Sequence, residues 1–257
     1  MMSLSRTIWR SVGHLYHESR RCIDFSPVDR VILLYHSIGE KPWSETSVRQ
    51  FERQIQFLKN HYEIVDLDEL FDTKRGVVLT FDDGYRDFYD TVVPLLEEHD
   101  VPATVFVNGA FIDDRSEILY SRLGVPEGEN GVIMSANQVR ELAEHNLVTI
   151  GNHTLSHPNL DDLSETEIKE QIVRGKHVLE EEFDLTIERF AYPYGSYNEE
   201  SRAVVEETHR CGLIADRSTN ISSDAALLPR IGAPATVAQL DWQLSRVANK
   251  FKKNLGL

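Results

Sequence analysis

The sequence predicts an α/β domain built on a parallel sheet, and three observations carry that prediction. From Arg30 onward, apolar strand-like runs alternate with helical patterns, and a repeated β-α order sets successive strands side by side and parallel. Several of these runs end at glycine or at chemistry-bearing residues, the edge of a parallel α/β sheet where active sites gather. The 257 residues contain no repeat, low-complexity tract or Pro/Ser-rich linker, which suits one domain with a sizeable core. A flat doubly wound sheet also fits the pattern.

The elements follow in order. Val31 to Tyr35 is a short apolar run, read as the first buried strand. Val48 to Tyr62 places Phe51, Ile55 and Leu58 on one helical face. Val77 to Phe81 is a strand that leads into a helix near Tyr85 to Glu98, and Ala103 to Val107 is the next strand. Ser135 suits the N-cap of a helix running to His145, and Val148 to Gly151 is again a strand. Ser164-Glu165-Thr166-Glu167 has capping-box spacing and opens a long helix toward Phe183. Strands follow at Arg189 to Tyr192 and Leu213 to Asp216, and a final helix at Val237 to Phe251. The domain is assigned to 30–257. Residues 1–29 form an N-terminal helical extension, with Ile8, Trp9, Val12, Leu15 and Tyr16 at helical spacing among arginines. Such a stripe packs against a domain or lies at a membrane interface.

The net charge of -15 repels nucleic acid and anionic membranes, so neither is expected as a partner. Arginine outnumbers lysine; a high-salt milieu or simply an acidic, soluble surface accounts for the balance. Two cysteines, Cys22 and Cys211, give no disulfide framework and no cysteine metal site. Residues 1–25 lack the continuous apolar core of a signal peptide, and no stretch is apolar enough to span a bilayer. The sequence therefore reads as cytoplasmic, with peripheral membrane association left open.

Two segments carry chemistry. Thr80-Phe81-Asp82-Asp83-Gly84-Tyr85 sets two carboxylates where an apolar strand runs into a glycine turn. His153-Thr154-Leu155-Ser156-His157 sets two imidazoles four residues apart, which one helical turn would aim at a common point. One Asp and two His form a ligand set for a catalytic divalent metal, and the spare carboxylate becomes a general base for water. Adjacent aspartates before glycine also occur in plain turns. Both segments follow predicted strands, which favours the site. Together they read as a metal-dependent hydrolase.

These motifs resemble those of the polysaccharide deacetylases of carbohydrate esterase family 4, the NodB-homology family. The family's T-F-D-D-G and H-[ST]-x-x-H motifs are matched in order, and its third is similar to Phe190-Ala191-Tyr192-Pro193-Tyr194-Gly195. The resemblance runs from about Val31 to Arg230. It implies a single-domain, distorted (β/α)₇ barrel. It assigns Asp83, His153 and His157 to one divalent metal, zinc first, with cobalt, nickel or manganese as alternatives. Asp82 becomes the base, and the Tyr194 backbone N–H the oxyanion donor. Because neighbouring strand residues point to opposite faces, the chain must bend for both aspartates to serve one site, and Gly84 is placed to allow it.

The sequence departs from the family pattern in three places. Ala191 stands where the third motif usually begins with arginine, the fourth motif has no clear match, and no histidine follows His209 to serve as the acid. Leu33-Leu34-Tyr35-His36-Ser37-Ile38 is similar to the Tyr-His-x-Ile of the poly-N-acetylglucosamine deacetylase subgroup, whose barrel is circularly permuted. His36 is therefore assigned as the acid. Arg230, in a short motif of the same subgroup, either replaces the missing arginine beside Asp82 or forms a surface ion pair. The remaining histidines, His209 included, read as surface residues. Trp43 and Tyr120 are candidates for stacking on a sugar ring.

The expected activity is removal of N-acetyl groups from an N-acetylglucosamine-type sugar in a glycan or glycoconjugate. Hydrolysis of a non-sugar amide or ester, or glycan binding without catalysis, are the alternatives. Nothing in the sequence sets the oligomeric state.

Overall fold

The computed structural model describes residues 28–216, 221 and 224–248. The N-terminal extension assigned to 1–29 lies almost wholly outside them, as do the end of the last predicted helix and Cys22.

Strands β1 (Arg30–Tyr35), β3 (Gly76–Phe81), β4 (Ala103–Val107), β5 (Val148–Asn152), β6 (Arg189–Ala191), β7 (Cys211–Ala215) and β8 (Leu228–Gly232) are all parallel. β1 pairs with both β8 and β3, so the seven close into a ring. This is the (β/α)₇ barrel, and it excludes the flat sheet. An eighth, two-residue strand, β2 (Glu63–Ile64), lies beside the ring. It pairs with Gly76 and Val77 of β3, whereas β4 meets β3 only at Thr80 and Phe81. β2 thus fills a gap between neighbouring strands at the amino end of the barrel.

Alternation along each strand sorts the core in two. Ile32, Val78, Phe106, Ala191, Leu213 and Leu228 form an inner cluster, joined from below by Val65, Leu67 and Leu70 after β2. The intervening residues, such as Leu33, Leu79, Val105 and Ile150, form the outer layer against the helices. Phe106 fits inside only because Gly151 has no side chain, since a Cβ there would lie 2.4 Å from the ring.

The helices match their sequence signals with several differences. Helix α1 (Val48–His61) buries Phe51, Ile55 and Leu58 as expected, capped by Ser47. The helix predicted near Tyr85 to Glu98 is present: helical backbone runs unbroken from Arg86, through a π-helical turn at Phe88–Val92 into α2 (Val93–His99), with Pro94 just after the π turn. The long loop after β4 contains an unforeseen helix, α3 (Ile118–Leu123). α4 (Ala136–Ala143) has the Ser135 cap. The Ser164 capping box is present, opening α5 (Glu165–Lys169), which continues through a π turn at Glu170–Arg174 into α6 (Gly175–Phe183). α7 (Glu199–Thr208) and strand β8 carry no element prediction. α8 (Val237–Gln243) is interrupted by a turn at Leu244, after which 246–248 are helical again and the remainder of the predicted helix lies outside the described residues. No helix among the described residues is long and apolar enough to cross a membrane.

Candidate active site

Asp82 and Asp83 follow β3 at the carboxyl-terminal mouth of the barrel. Asp82 continues the inward alternation of Val78 and Thr80, and its N–H donates to the Tyr35 carbonyl at 3.0 Å. Regular alternation would turn Asp83 outward. Its φ of 74°, followed by 70° at Gly84, reverses the chain and returns its carboxylate to the mouth. The bend therefore begins one residue earlier than expected, at a non-glycine residue in the left-handed region, where backbone strain clusters at functional sites.

His153 and His157 do not sit on a helical turn. They bracket a tight loop after β5, with φ of 70° at Thr154 and 53° at His157. The loop still brings the rings together, centroids 4.8 Å apart. The Asp83 Oδ1 lies 3.6 Å from His153 Nε2 and 3.3 Å from His157 Nε2. One ligand atom from each of the three residues falls within 4.8 Å of the others.

A divalent metal fits these residues on three counts. His153 Nδ1 lies 2.7 Å from the Ala191 carbonyl; a carbonyl only accepts, so Nδ1 carries the proton and Nε2 presents its lone pair. Burial and the neighbouring His153 push the His157 imidazole down to about 2, which keeps it neutral as a ligand must be. The Asp83 Oδ1 is buried with no hydrogen-bond partner among the described residues, and burial raises this carboxyl. Carboxylate plus two neutral imidazoles is a donor set for zinc and its first-row neighbours.

Asp82 is held by Arg230. The guanidinium donates from Nη1 to Oδ1 at 2.6 Å and from Nη2 to Oδ2 at 2.8 Å, with Nη1 also 3.2 Å from Thr80 Oγ1. Arg230 is fully buried, its plane 5.4 Å from the Phe106 ring centroid, so the surface ion pair is excluded. Burial would raise the Asp82 carboxyl, but Arg230 and His153 outweigh it and hold Asp82 down at about 2.

His36 follows β1 at the same edge, with Nδ1 3.7 Å from a Glu45 carboxylate oxygen. Burial pulls this imidazole down; the Glu45 contact and the charges of Asp83 and Asp82 outweigh it and lift it to about 9. Its loop is tied by Asp87, which accepts from Ser37 Oγ at 2.5 Å and from the Ile38 N–H at 3.1 Å. Tyr194 occupies a turn with φ of 60°, followed by 69° at Gly195, where a Cβ would come within 2.7 Å of the Ala215 carbonyl. The Tyr194 ring packs edge-on against His157, centroids 4.6 Å apart.

His36, Asp82, Asp83, His153, His157 and Tyr194 line one cavity of about 320 Å³, together with Trp43, Glu45 and Arg122, while Arg230 lies behind Asp82. Tyr120 is not among them: its hydroxyl donates to the Glu129 carbonyl at 2.8 Å, inside a separate apolar cluster.

Sequence reasoning missed the scaffold of the histidine loop, and it misplaced His209, which is buried. Asn152 uses its whole amide: Oδ1 accepts from the Thr154 N–H at 3.0 Å, while Nδ2 donates to the Ile172 carbonyl at 2.8 Å and to His209 Nε2 at 3.2 Å. Thr154 Oγ1 then accepts from the His157 N–H at 2.9 Å. The π turn supplies carbonyls that a regular helix would keep, and the Gln171 carbonyl accepts from the Leu155 N–H at 2.9 Å. Gly175 permits the contact, because a Cβ there would lie 2.7 Å from that same nitrogen. Burial and nearby Lys176 push His209 down to about 3, so it stays a neutral acceptor. Asn152 was legible as the residue before a ligand; His209, 57 residues away in sequence, was not.

Comparison with known proteins agrees with this geometry. The family profile described as polysaccharide deacetylase matches residues 72–210, more than half of the chain. That span holds both metal-ligand motifs and Tyr194, and leaves His36 and Arg230 outside. The chain is 26% identical over 191 residues to the putative polysaccharide deacetylase YxkH of Bacillus subtilis, covering 71% of this chain and 62% of that protein's length. It is 25% identical over 237 residues to the poly-beta-1,6-N-acetyl-D-glucosamine N-deacetylase of Staphylococcus aureus, covering 84% of this chain and 76% of the relative. Among solved structures, the Streptococcus pyogenes deacetylase PplD superposes with a TM-score of 0.69 at 22% identity, over 85% of this chain and 99% of that one, which shows the shared fold. With its motifs in order and its barrel closed around them, this chain belongs to the polysaccharide deacetylase family, carbohydrate esterase family 4.

Proposed function

We propose that the protein is a metal-dependent deacetylase acting on an N-acetylglucosamine-type sugar within a glycan or glycoconjugate. The carrying observation is the pairing at one barrel mouth of a buried Asp-His-His cluster with a second aspartate that Arg230 keeps ionised. The poly-N-acetylglucosamine activity named for the staphylococcal relative supports the sugar class.

Asp83, His153 and His157 would hold the metal, which when bound supplies Lewis-acid polarisation of the amide carbonyl and acidification of water. Asp82, ionised, takes the proton of the attacking water as its oxygen bonds to the carbonyl carbon. The Tyr194 N–H donates to the oxygen that gains negative charge. His36 donates a proton to the departing nitrogen as the C–N bond breaks, leaving acetate and a free amine. Arg230 orients Asp82 in place of the absent third-motif arginine, and Glu45 faces His36 where the fourth motif has no match.

The test is acetate release from short N-acetylglucosamine oligomers by protein supplied with zinc or cobalt. Release that stops with a chelator and in Asp83→Ala supports the reading. No release from zinc-loaded protein overturns it in favour of a different amide or ester.

A further inference from the structure

Arg122 is an unexplained cation in the active-site cavity. It ends α3, lines the mouth, and its carbonyl accepts from the Tyr194 hydroxyl at 3.2 Å. The Asp114 carboxylate accepts the N–H groups of Gly131, Val132 and Ile133 at 2.6–3.2 Å, tying down the later part of the same loop. The Tyr194 contact places the end of α3 beside that residue's turn.

Arg115, Arg189, Arg202, Arg210 and Arg246 each meet a carboxylate within 3.0 Å; Arg30, Arg49, Arg53, Arg75, Arg140 and Arg174 do not, but none of these lines the active-site cavity. Arg122 has no carboxylate within ion-pair reach among the described residues, in a chain of net charge -15. The last turn of α3 offers it only the partial charge of its carbonyls. A half-buried guanidinium without an acid is a planar fork of donors open to a planar or tetrahedral anion. A neutral acetamido sugar offers that fork hydroxyl and carbonyl acceptors but no charge to balance its own.

We propose that Arg122 recognises an anionic substituent, a phosphate or a carboxylate, carried by the acetamido sugar or by the unit next to it. The inference rests on the acetamido-sugar reading above. Glu45, on the loop after β1, lines the same cavity beside His36, so the pocket carries an acidic as well as a basic side chain. A substrate with a fixed negative charge meets that arrangement in one orientation only.

The test separates recognition from turnover. Zinc-loaded Asp82→Asn protein is titrated calorimetrically with an N-acetylglucosamine trimer, the same trimer with a terminal phosphate, and the same trimer with a 6-carboxylate. At low salt, one charged ligand binds about tenfold tighter than the neutral one, the size of a charge-assisted contact, and the gap narrows as salt is raised. Which charged ligand gains identifies the source of the anion. Adding Arg122→Gln removes the gap, and Arg122→Lys, which keeps the charge but loses the fork, retains part of it. Equal affinities for all three ligands, or a gap untouched by Arg122→Gln, overturn the proposal. Charge preference without acetate release by the native protein overturns the deacetylase reading alone. Acetate release from the neutral trimer with no charge preference overturns this proposal alone.

Discussion

Both ends of the barrel interior hold a buried arginine clamped on an aspartate, and the two pairs end differently. At the amino end, Arg189 Nη1 bonds Asp66 Oδ2 and Thr104 Oγ1, each at 2.8 Å, while Nη2 bonds Asp66 Oδ1. Asp66 also accepts from the Asp68 N–H at 3.0 Å and Thr149 Oγ1 at 3.3 Å. At the carboxyl end, Arg230 grips Asp82, but the Asp83 Oδ1, the His157 Nδ1 and the Arg230 Nε are buried with no hydrogen-bond partner among the described residues. Native interiors rarely leave such atoms unsatisfied. The satisfied pair closes the barrel; the unbonded atoms at the other end match the proposal that a metal binds there.

The sharpest way to break this comparison is Asp83→Ala. Zinc binding should be lost, along with acetate release by a factor of about 10³ or more, the scale of losing Lewis-acid and electrostatic catalysis. In chelator the variant should melt no lower than the parent, because a buried, unbonded carboxylate oxygen has been removed. A marked drop in the metal-free melting temperature would make Asp83 a structural residue like Asp66.

Next comes the exchange of each arginine. Arg189→Met should destabilise by about 3–5 kcal/mol, the cost of stranding a buried charge, with zinc affinity unchanged. Arg230→Met should also move the pH-rate profile. Asp82 works as a base only when ionised, so activity falls as pH drops through its pKa. Removing Arg230 raises that pKa, and the acid limb shifts to higher pH. An unshifted limb would take Asp82 out of the base role.

Gly175→Ala should act on the scaffold alone. Its Cβ meets the Leu155 nitrogen at 2.7 Å, so the loop shifts, at a cost of about 1–3 kcal/mol and about tenfold in zinc affinity, the lower range for an outer support of a metal site. Full zinc affinity in this variant would show that the π turn does not position the ligands.

The smallest effect concerns His209. It is held near 3 in the fold against about 6.5 in an unfolded chain. Between those values the unfolded state binds more protons, so this contribution is complete above pH 6.5 and is lost as pH falls toward 3. His209→Gln should flatten the loss of metal-free melting temperature across that window. An identical slope in parent and variant would mean His209 does not titrate with folding.

The element order was legible because strand and helix periodicities are local. Ser135 and Ser164 cap where they were expected, since a cap acts over three residues. The helical turn predicted for His153 and His157 failed for the converse reason. Their loop is set by Asn152, Gln171, Gly175 and His209, and nothing in a five-residue motif encodes partners that far away. α3 and α7 were missed in stretches read as loop or left unassigned, and β8 was seen only as a motif around a proline.

The sequence by itself singled out candidates: Asp82, Asp83, His153 and His157 from short motifs with fixed spacing, His36 and Tyr194 from the family resemblance, and all six line one cavity. Tertiary structure decided the rest. The β1–β3 pairing closed the ring, φ of 74° at Asp83 turned a second carboxylate inward, and burial settled Arg230 as the clamp on Asp82. Ring closure, backbone reversal and desolvation depend on contacts between segments far apart in sequence, and no local pattern specifies them.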